Sequence, residues 1–218
     1  MSTFPGSPKL LRGGLVLVDP SSGAVVRVIA LQYNPDTLTR TLQPKAVTES
    51  QDHSQALRLT GPPVETIKIE AEIDATDQLE FPDQNPAAVQ LGVAPQIASL
   101  ETLLYPTSGQ LQANDAMQSS GTLEITPMET PLALFVWSKE RVVPVRLTDY
   151  SVTEEAFDPK LNPTRAKVSL SMRVLSVDDL GFSHKGGSLY MVYQQNKERL
   201  AQRATGGTLA LLGLTGIP

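Results

Sequence analysis

The chain has 218 residues, 40% hydrophobic and 19% charged, which suits one sizeable core burying about 70% of the unfolded surface and excludes a disordered chain. Cysteine is absent, which excludes a disulfide framework and thiolate metal sites, and no apolar run nears the roughly 20 residues that span a bilayer. The net charge of −5 is laid out unevenly: six basic against four acidic groups in residues 1–64, one against eleven in 65–135, and eleven against eight in 136–218.

In chain order, residues 1–14 (MSTFPGSPKLLRGG) read as an arm, and they lack the apolar core of a secretory signal, so a cytoplasmic origin is expected. Residues 15–18 and 24–31 are apolar and β-branched around Asp19-Pro20-Ser21-Ser22-Gly23, which predicts a β-hairpin. Tyr33-Asn34-Pro35 ends its second strand, and residues 43–61 are polar and aperiodic, a long loop or irregular edge. Ile67, Ile69, Ala71 and Ile73 then alternate with Lys68, Glu70, Glu72 and Asp74. Period-two alternation predicts a half-buried strand over 64–75 with a charged outer face. Asn85-Pro86 reads as a helix start, with Pro95 interrupting that helix and Ile97, Leu100 and Leu104 on one stripe beyond it. Residues 107–120 read as a loop and Leu123 with Ile125 as a short strand.

Residues 132–137 (LALFVW) are apolar on both faces, which predicts a central strand. Ser138-Lys139-Glu140-Arg141 turns into a strand over 142–152, where Val143, Val145 and Leu147 alternate with Pro144 and Arg146. In the next strand Val168, Leu170, Met172 and Val174 are the expected buried set, alternating with Lys167, Ser169, Ser171 and Arg173. The connector over 154–163 carries Asp158-Pro159 and Asn162-Pro163, so it is extended or turning, because proline disfavours helix at the residue before it. Residues 188–203 form the best remaining helix, with Leu189, Val192, Tyr193 and Leu200 near one face, and residues 204–218 are an uncharged apolar tail. The expected fold is mainly β, of α+β class: an antiparallel β-barrel or sandwich with a flanking helix and a C-terminal helix. The domain plan is an arm at 1–14, a β-domain at 15–180, and a helical extension with its tail at 181–218.

A search for chemistry returns no catalytic, cofactor-binding or metal residues. His53 and His184 fall in separate loop-like regions without metal-ligand spacing. Asp74, Asp77, Glu80 and Asp83 are an acidic cluster that reads as a solvated loop, with calcium as the alternative. Glu154 and Glu155 are adjacent on a strand, so they point to opposite faces and do not flank one bond. Gly13-Gly14 and Gly186-Gly187 lack the sequence context of phosphate loops. No hydroxyl in 148–164 has a local nucleophile signature, and Trp137 reads as packing. No basic patch with interleaved aromatics points to nucleic acid. The acidic middle is either a solvated face or an assembly edge that meets basic surface on the next subunit.

Two segments carry a family resemblance. LQYNPDTLTR at 31–40 and EEAFDPKLNPTRA at 154–166, with the V-x-V-x-L strand at 143–147 between them, resemble the tube-domain proteins of contractile injection systems. The likeness covers roughly residues 15–180, and it is strongest to the baseplate member that joins the inner tube to the central spike. It implies a small barrel with a helix on its flank, assembled as a six-fold homo-oligomeric ring. Its implied partners are a spike protein, an inner-tube or tube-initiator protein and other baseplate subunits, within an injection particle. Relatives often continue into a LysM module, and residues after Leu180 do not resemble one. An inner-tube or tube-initiator subunit is the near alternative, and a cell-wall hydrolase the distant one. The expected role is structural, without enzymatic activity or cofactor.

Overall fold

A computed structural model describes residues 11–46, 58–119 and 130–217 of the chain. Seven strands form one sheet: β1 (Gly14–Val18), β2 (Val25–Ala30), β3 (Leu38–Ala46), β4 (Leu59–Asp74), β5 (Leu132–Ser138), β6 (Arg141–Phe157) and β7 (Pro163–Val174). Their order is β2-β1-β5-β6-β7-β4-β3, and every neighbouring pair is antiparallel.

The core follows from the alternation. Ile67, Ile69, Ala71 and Ile73 of β4 are all buried, as are Ala166, Val168, Leu170, Met172 and Val174 of β7. The registers line these residues up in rows: Ile67 with Met172 and Leu147, Ile69 with Leu170 and Tyr150, Ala71 with Val168 and Val152. Along β6 the inward phase is odd up to Leu147 and even from Tyr150. A bulge makes the change, because the pairing shifts between Leu147 and Asp149 while Thr148 donates its hydroxyl to Ser171 O at 3.1 Å. Without that extra residue, Tyr150 and Val152 would face water and Asp149 the core.

β5 is interior, as its unbroken apolar run requires. Phe135 joins the main core, while Leu132 and Leu134, on the opposite face, form a second cluster with Val18 under Leu180 and Leu189. The helices are α1 (Thr76–Leu79), α2 (Pro86–Leu91), α3 (Ala94–Glu101), α4 (Ser108–Ser119), α5 (Val177–Leu180) and α6 (Lys185–Gln202). Val93, Ile97 and Leu100 from the α3 region, and Tyr190 and Tyr193 from α6, complete the main core.

The structure corrects several expectations. Gly92, at φ +58°, separates α2 from α3, whereas Pro95 lies in the first turn of α3. A first-turn proline lacks only an N–H that has no helical partner there, so it starts the helix rather than breaking it. Leu104 is exposed and off the buried stripe. The expected loop over 107–120 contains α4. Thr107 and Gln110 cap it reciprocally: Gln110 N–H donates to Thr107 Oγ1 at 3.2 Å, and Thr107 N–H donates to Gln110 Oε1 at 3.0 Å. Part of the expected loop over 43–61 is strand, since β3 continues to Ala46 and β4 starts at Leu59. On α6 the buried stripe is Tyr190, Tyr193 and Asn196, while Val192 and Leu200 are exposed. The expected strand at Leu123 and Ile125 lies outside the described residues.

The mainly β, antiparallel α+β class holds, but the sheet is open. Among the described residues no ladder joins β2 to β4 or β3. The sheet nonetheless curls until β2 and β4 approach each other. Just past the end of β2, the Gln32 amide donates to Asp74 O at 2.6 Å and accepts from Asp74 N–H at 3.0 Å. One side chain thereby does the work of a backbone bridge at the point where a barrel would close.

Leu170 sits at the middle of the central row, fully enclosed. Leu170→Asp places an unpaired carboxylate there and costs about 3–5 kcal/mol. Chemical denaturation with both proteins is the check; a variant as stable as the wild type would refute the assignment of faces.

Candidate functional site

The two segments that carry the family resemblance, over a hundred residues apart, meet at the exit of β4. From the first, Leu31 enters the core, Gln32 bridges to Asp74, and the Tyr33 hydroxyl lies 3.4 Å from Asp77 Oδ2. Asn34 holds the entry to β1, accepting from Gly13 N–H at 2.9 Å and donating to Leu11 O at 2.8 Å. From the second, Thr164 O accepts from Ala75 N–H at 2.9 Å, and Arg165 Nε reaches Asp74 Oδ2 at 2.9 Å. The connector turns on Asp158, whose carboxylate accepts from Lys160 N–H and from both the backbone and side-chain nitrogens of Asn162 at 2.7–2.8 Å. Those Asn162 bonds hold the Asp158 carboxyl below its ordinary pKa. Leu161 takes a left-handed φ of 66° inside this turn. Pro163 O then accepts from Val93 N–H at 2.7 Å, and any Cβ on Gly92 would collide with that carbonyl. The connector therefore docks against the α2–α3 corner through a contact that only glycine permits.

Other residues singled out by sequence have structural partners. His184 caps α6, its Nδ1 accepting from Gly186 N–H at 3.0 Å. His53 lies outside the described residues. Of the acidic cluster, Asp74 is committed to Thr76 and Arg165; burial would raise its pKa, but those partners outweigh burial and lower it. No grouping of acidic or histidine side chains among the described residues is arranged to hold a metal ion. Glu155 pairs with Lys167 at 2.8 Å, and the pairing register shifts between Glu154 and Ala156. Gly13 and Gly14 leave room for the Trp137 ring and the Ile29 carbonyl, and Gly186 and Gly187 for Leu180 and Gly181. Trp137 stacks on Phe135 with centroids 6.0 Å apart.

The group that sequence reasoning missed is Glu65. It occupies the inward phase of β4, two residues before Ile67, where an apolar side chain belongs, and that break in pattern was the available signal. It is buried at 2% exposure. Glu65 accepts from Arg40 of β3 and the Tyr193 hydroxyl, both at 2.7 Å, and from Lys197 at 3.0 Å. Lys197 also stands 4.0 Å from the centroid of the Tyr193 ring. Burial would raise the Glu65 pKa, but the bonds from Tyr193, Lys197 and Arg40 overcome it and hold the carboxyl below its ordinary value.

On β2, Val25, Val26 and Val28 are all exposed, and β3 is the opposite edge. Beside β2 a cleft of about 480 Å³ is lined by Leu17, Arg27, Tyr105, Pro131 and Arg146, with Arg27 donating to Thr102 at 2.9 Å. The charge split along the sequence is partly satisfied within the subunit, since acidic β4 lies beside basic β7: Arg165 is 2.9 Å from Asp74 and 4.0 Å from Glu72.

No family model and no curated protein matches the chain. Among solved structures, it is similar to a chain in the tail of an empty gene transfer agent particle with C6 symmetry, at 12% identity and a TM-score of 0.30, covering 75% of this chain and 90% of that one. A chain in the virion of a native gene transfer agent particle gives 12% identity, a TM-score of 0.27, and coverage of 74% and 90%. Likeness at this level establishes no family membership.

Glu65 generates a pH prediction. A carboxyl with a lowered folded pKa contributes stability that is fully present above its unfolded pKa of about 4.3 and is lost as pH falls through the folded value. The stability difference between wild type and Glu65→Gln is therefore constant from about pH 6 to 8 and shrinks below about pH 4.5. Urea unfolding of both proteins across that range measures it, and a difference unchanged down to pH 3 would contradict the ion-paired state.

Proposed function

We propose that this chain is a structural ring subunit of a phage-tail-like contractile injection particle, standing in the baseplate between the inner tube and the central spike. The observation that carries this reading is the convergence of 31–40 and 154–166 on one site, the exit of β4. In the sequence the two stretches resemble tube-domain proteins as separate motifs. In the fold they are one unit, which ties the start of β1, the end of β4 and the β6–β7 hairpin together. A pair of motifs that builds a single structural joint is a signature of fold rather than a chance of composition.

The open sheet supports assembly as the role. Among the described residues its two edge strands are each paired on one side only, and an apolar edge such as β2 needs a partner or cover. The residue types at the joint are amide, hydroxyl and paired carboxylate, which hold backbone in place and activate no nucleophile. The role proposed is therefore scaffolding, without catalysis.

Native mass measurement of the purified protein, alone and with its neighbouring tube and spike proteins, tests the reading. The expected result is a closed ring of six copies or a stoichiometric complex with the spike. A chain that stays monomeric with both partners present, or that turns over peptidoglycan, would overturn it.

The tail generates a second expectation. Leu209, Leu211, Leu212, Leu214 and Ile217 are all exposed, and the stretch from 204 to 218 carries no charge. Apolar surface of this kind is covered in an assembly. Deleting residues 204–218 leaves the melting temperature of the subunit within a few degrees of wild type and lowers the yield of complete particles counted by electron microscopy. Normal yield from the truncated chain would show the tail to be dispensable.

A further inference from the structure

We propose that α6 is a strap, held on the sheet by a polar latch centred on Glu65, which lifts away as one unit while the sheet stays folded. The inference concerns the subunit alone and does not depend on the assembly role.

The contact face of α6 is unusual for a core helix. Its buried residues are Gly186, Gly187, Tyr190, Tyr193 and Asn196, with no fully buried aliphatic side chain. The tips of that face are polar, and their partners are ionic or backbone groups. Tyr193 donates to Glu65 at 2.7 Å and accepts from Arg40 at 2.9 Å. Lys197 donates to Glu65 at 3.0 Å. Asn196 reaches Glu140 O at 3.3 Å, and Arg199 reaches the Glu140 carboxylate at 2.9 Å. The charges around the latch come from every element packed there: Arg40 of β3, Glu65 of β4, Arg141 of β6, Asp178 and Asp179 of α5, and Lys197 of α6 itself.

Lifting α6 uncovers the core face that Tyr190 and Tyr193 cover, but it strands none of the polar groups it leaves. Glu65 is enclosed by the helix, and once the helix moves the carboxylate regains water and keeps Arg40 at 2.7 Å. Neither charge is stranded, so the penalty that normally opposes breaking a buried pair does not arise. None of the β-ladders passes through α6, so the sheet's own bonding is untouched. The contrast is with α3, whose Ile97 and Leu100, with the adjoining Val93, seal the apolar rows and have no such exit.

The strap also has a hinge and a free end. Gly181 precedes it with φ +76° and open space where its Cβ would be, while its carbonyl packs against Gly187 of the helix. Phe182 and Ser183 beside it are exposed. On the near side of the hinge, α5 is closed by its own capping box between Ser176 and Asp179 and stays with the sheet. At the far end, every described residue from Glu198 to Ile217 is exposed, and the Arg199–Glu140 pair stands two residues beyond Lys197.

Hydrogen exchange by mass spectrometry on the full chain at neutral pH tests this. In Glu65→Gln, amides of residues 189–202 exchange about tenfold faster or more, while those of β4 and β7 keep their wild-type rates, the mark of a sub-global opening. Tyr193→Phe, which removes one hydroxyl, accelerates the same segment by a smaller factor and decides the matter if the glutamine variant does not fold. Acceleration of helix and sheet together would show α6 to be part of the global unit. Unchanged α6 rates in both variants would show Glu65 not to be the latch. Either result overturns the proposal.

Discussion

The register of β7 between β4 and β6 is the constraint on which the rest of the structure depends. Of its five inward side chains, Ala166, Val168, Leu170 and Met172 are paired on both sides and Val174 with β6 alone, so each one sets a neighbour's facing as well as its own. A slip of one residue would turn the whole set outward. The bulge at Thr148 shows how firmly this is held: β6 gives up regular pairing at one residue so that Tyr150 and Val152 still meet Leu170 and Val168. Burial of these rows is the dominant stabilising term, at roughly 25 cal/mol per Å² of apolar surface.

From that row structure the sheet curls, and small polar devices set its ends. Gln32 substitutes for a backbone bridge between the end of β2 and Asp74. Asn34 ties the entry to β1, Asp158 organises the β6–β7 turn, and Gly92 admits the Pro163 carbonyl. Gln32, Asn34 and Asp158 each make two or three side-chain bonds to backbone groups that would otherwise be left unpaired where strands end, and Gly92 leaves room for the Val93 N–H to reach Pro163 O. The segments most recognisable in the sequence are thus the ones that fasten strand ends.

Polar attachment recurs on the C-terminal side with a different consequence. Where α3 is sealed by aliphatic packing, α6 adds polar attachments at Glu65 and Glu140 to the packing of its two core tyrosines. Apolar packing joins an element to the cooperative core. A water-competent ionic contact lets it part from that core, because both partners are solvated on opening. The same fold therefore holds a rigid sheet and a more separable helix, with the uncharged tail attached to the latter.

The sequence by itself determined the strands that bury one face. Alternation at Ile67–Ile73 and Val168–Val174 states which side chains go inside, because a strand's period of two is a local property. The unbroken run at 132–137 likewise required an interior strand, and β5 is one. Only the tertiary structure decided the rest. Helix α4 rests on the reciprocal cap of Thr107 and Gln110, a local signal masked by a polar sequence. The Thr148 bulge, the Gln32 bridge and the Glu65 cluster depend on partners 23 to 132 residues away, and no window of sequence holds both halves of such a contact. The sheet stays open for the same reason. Closure depends on how β2 and β4 approach in space, and there one glutamine side chain takes the place of a ladder.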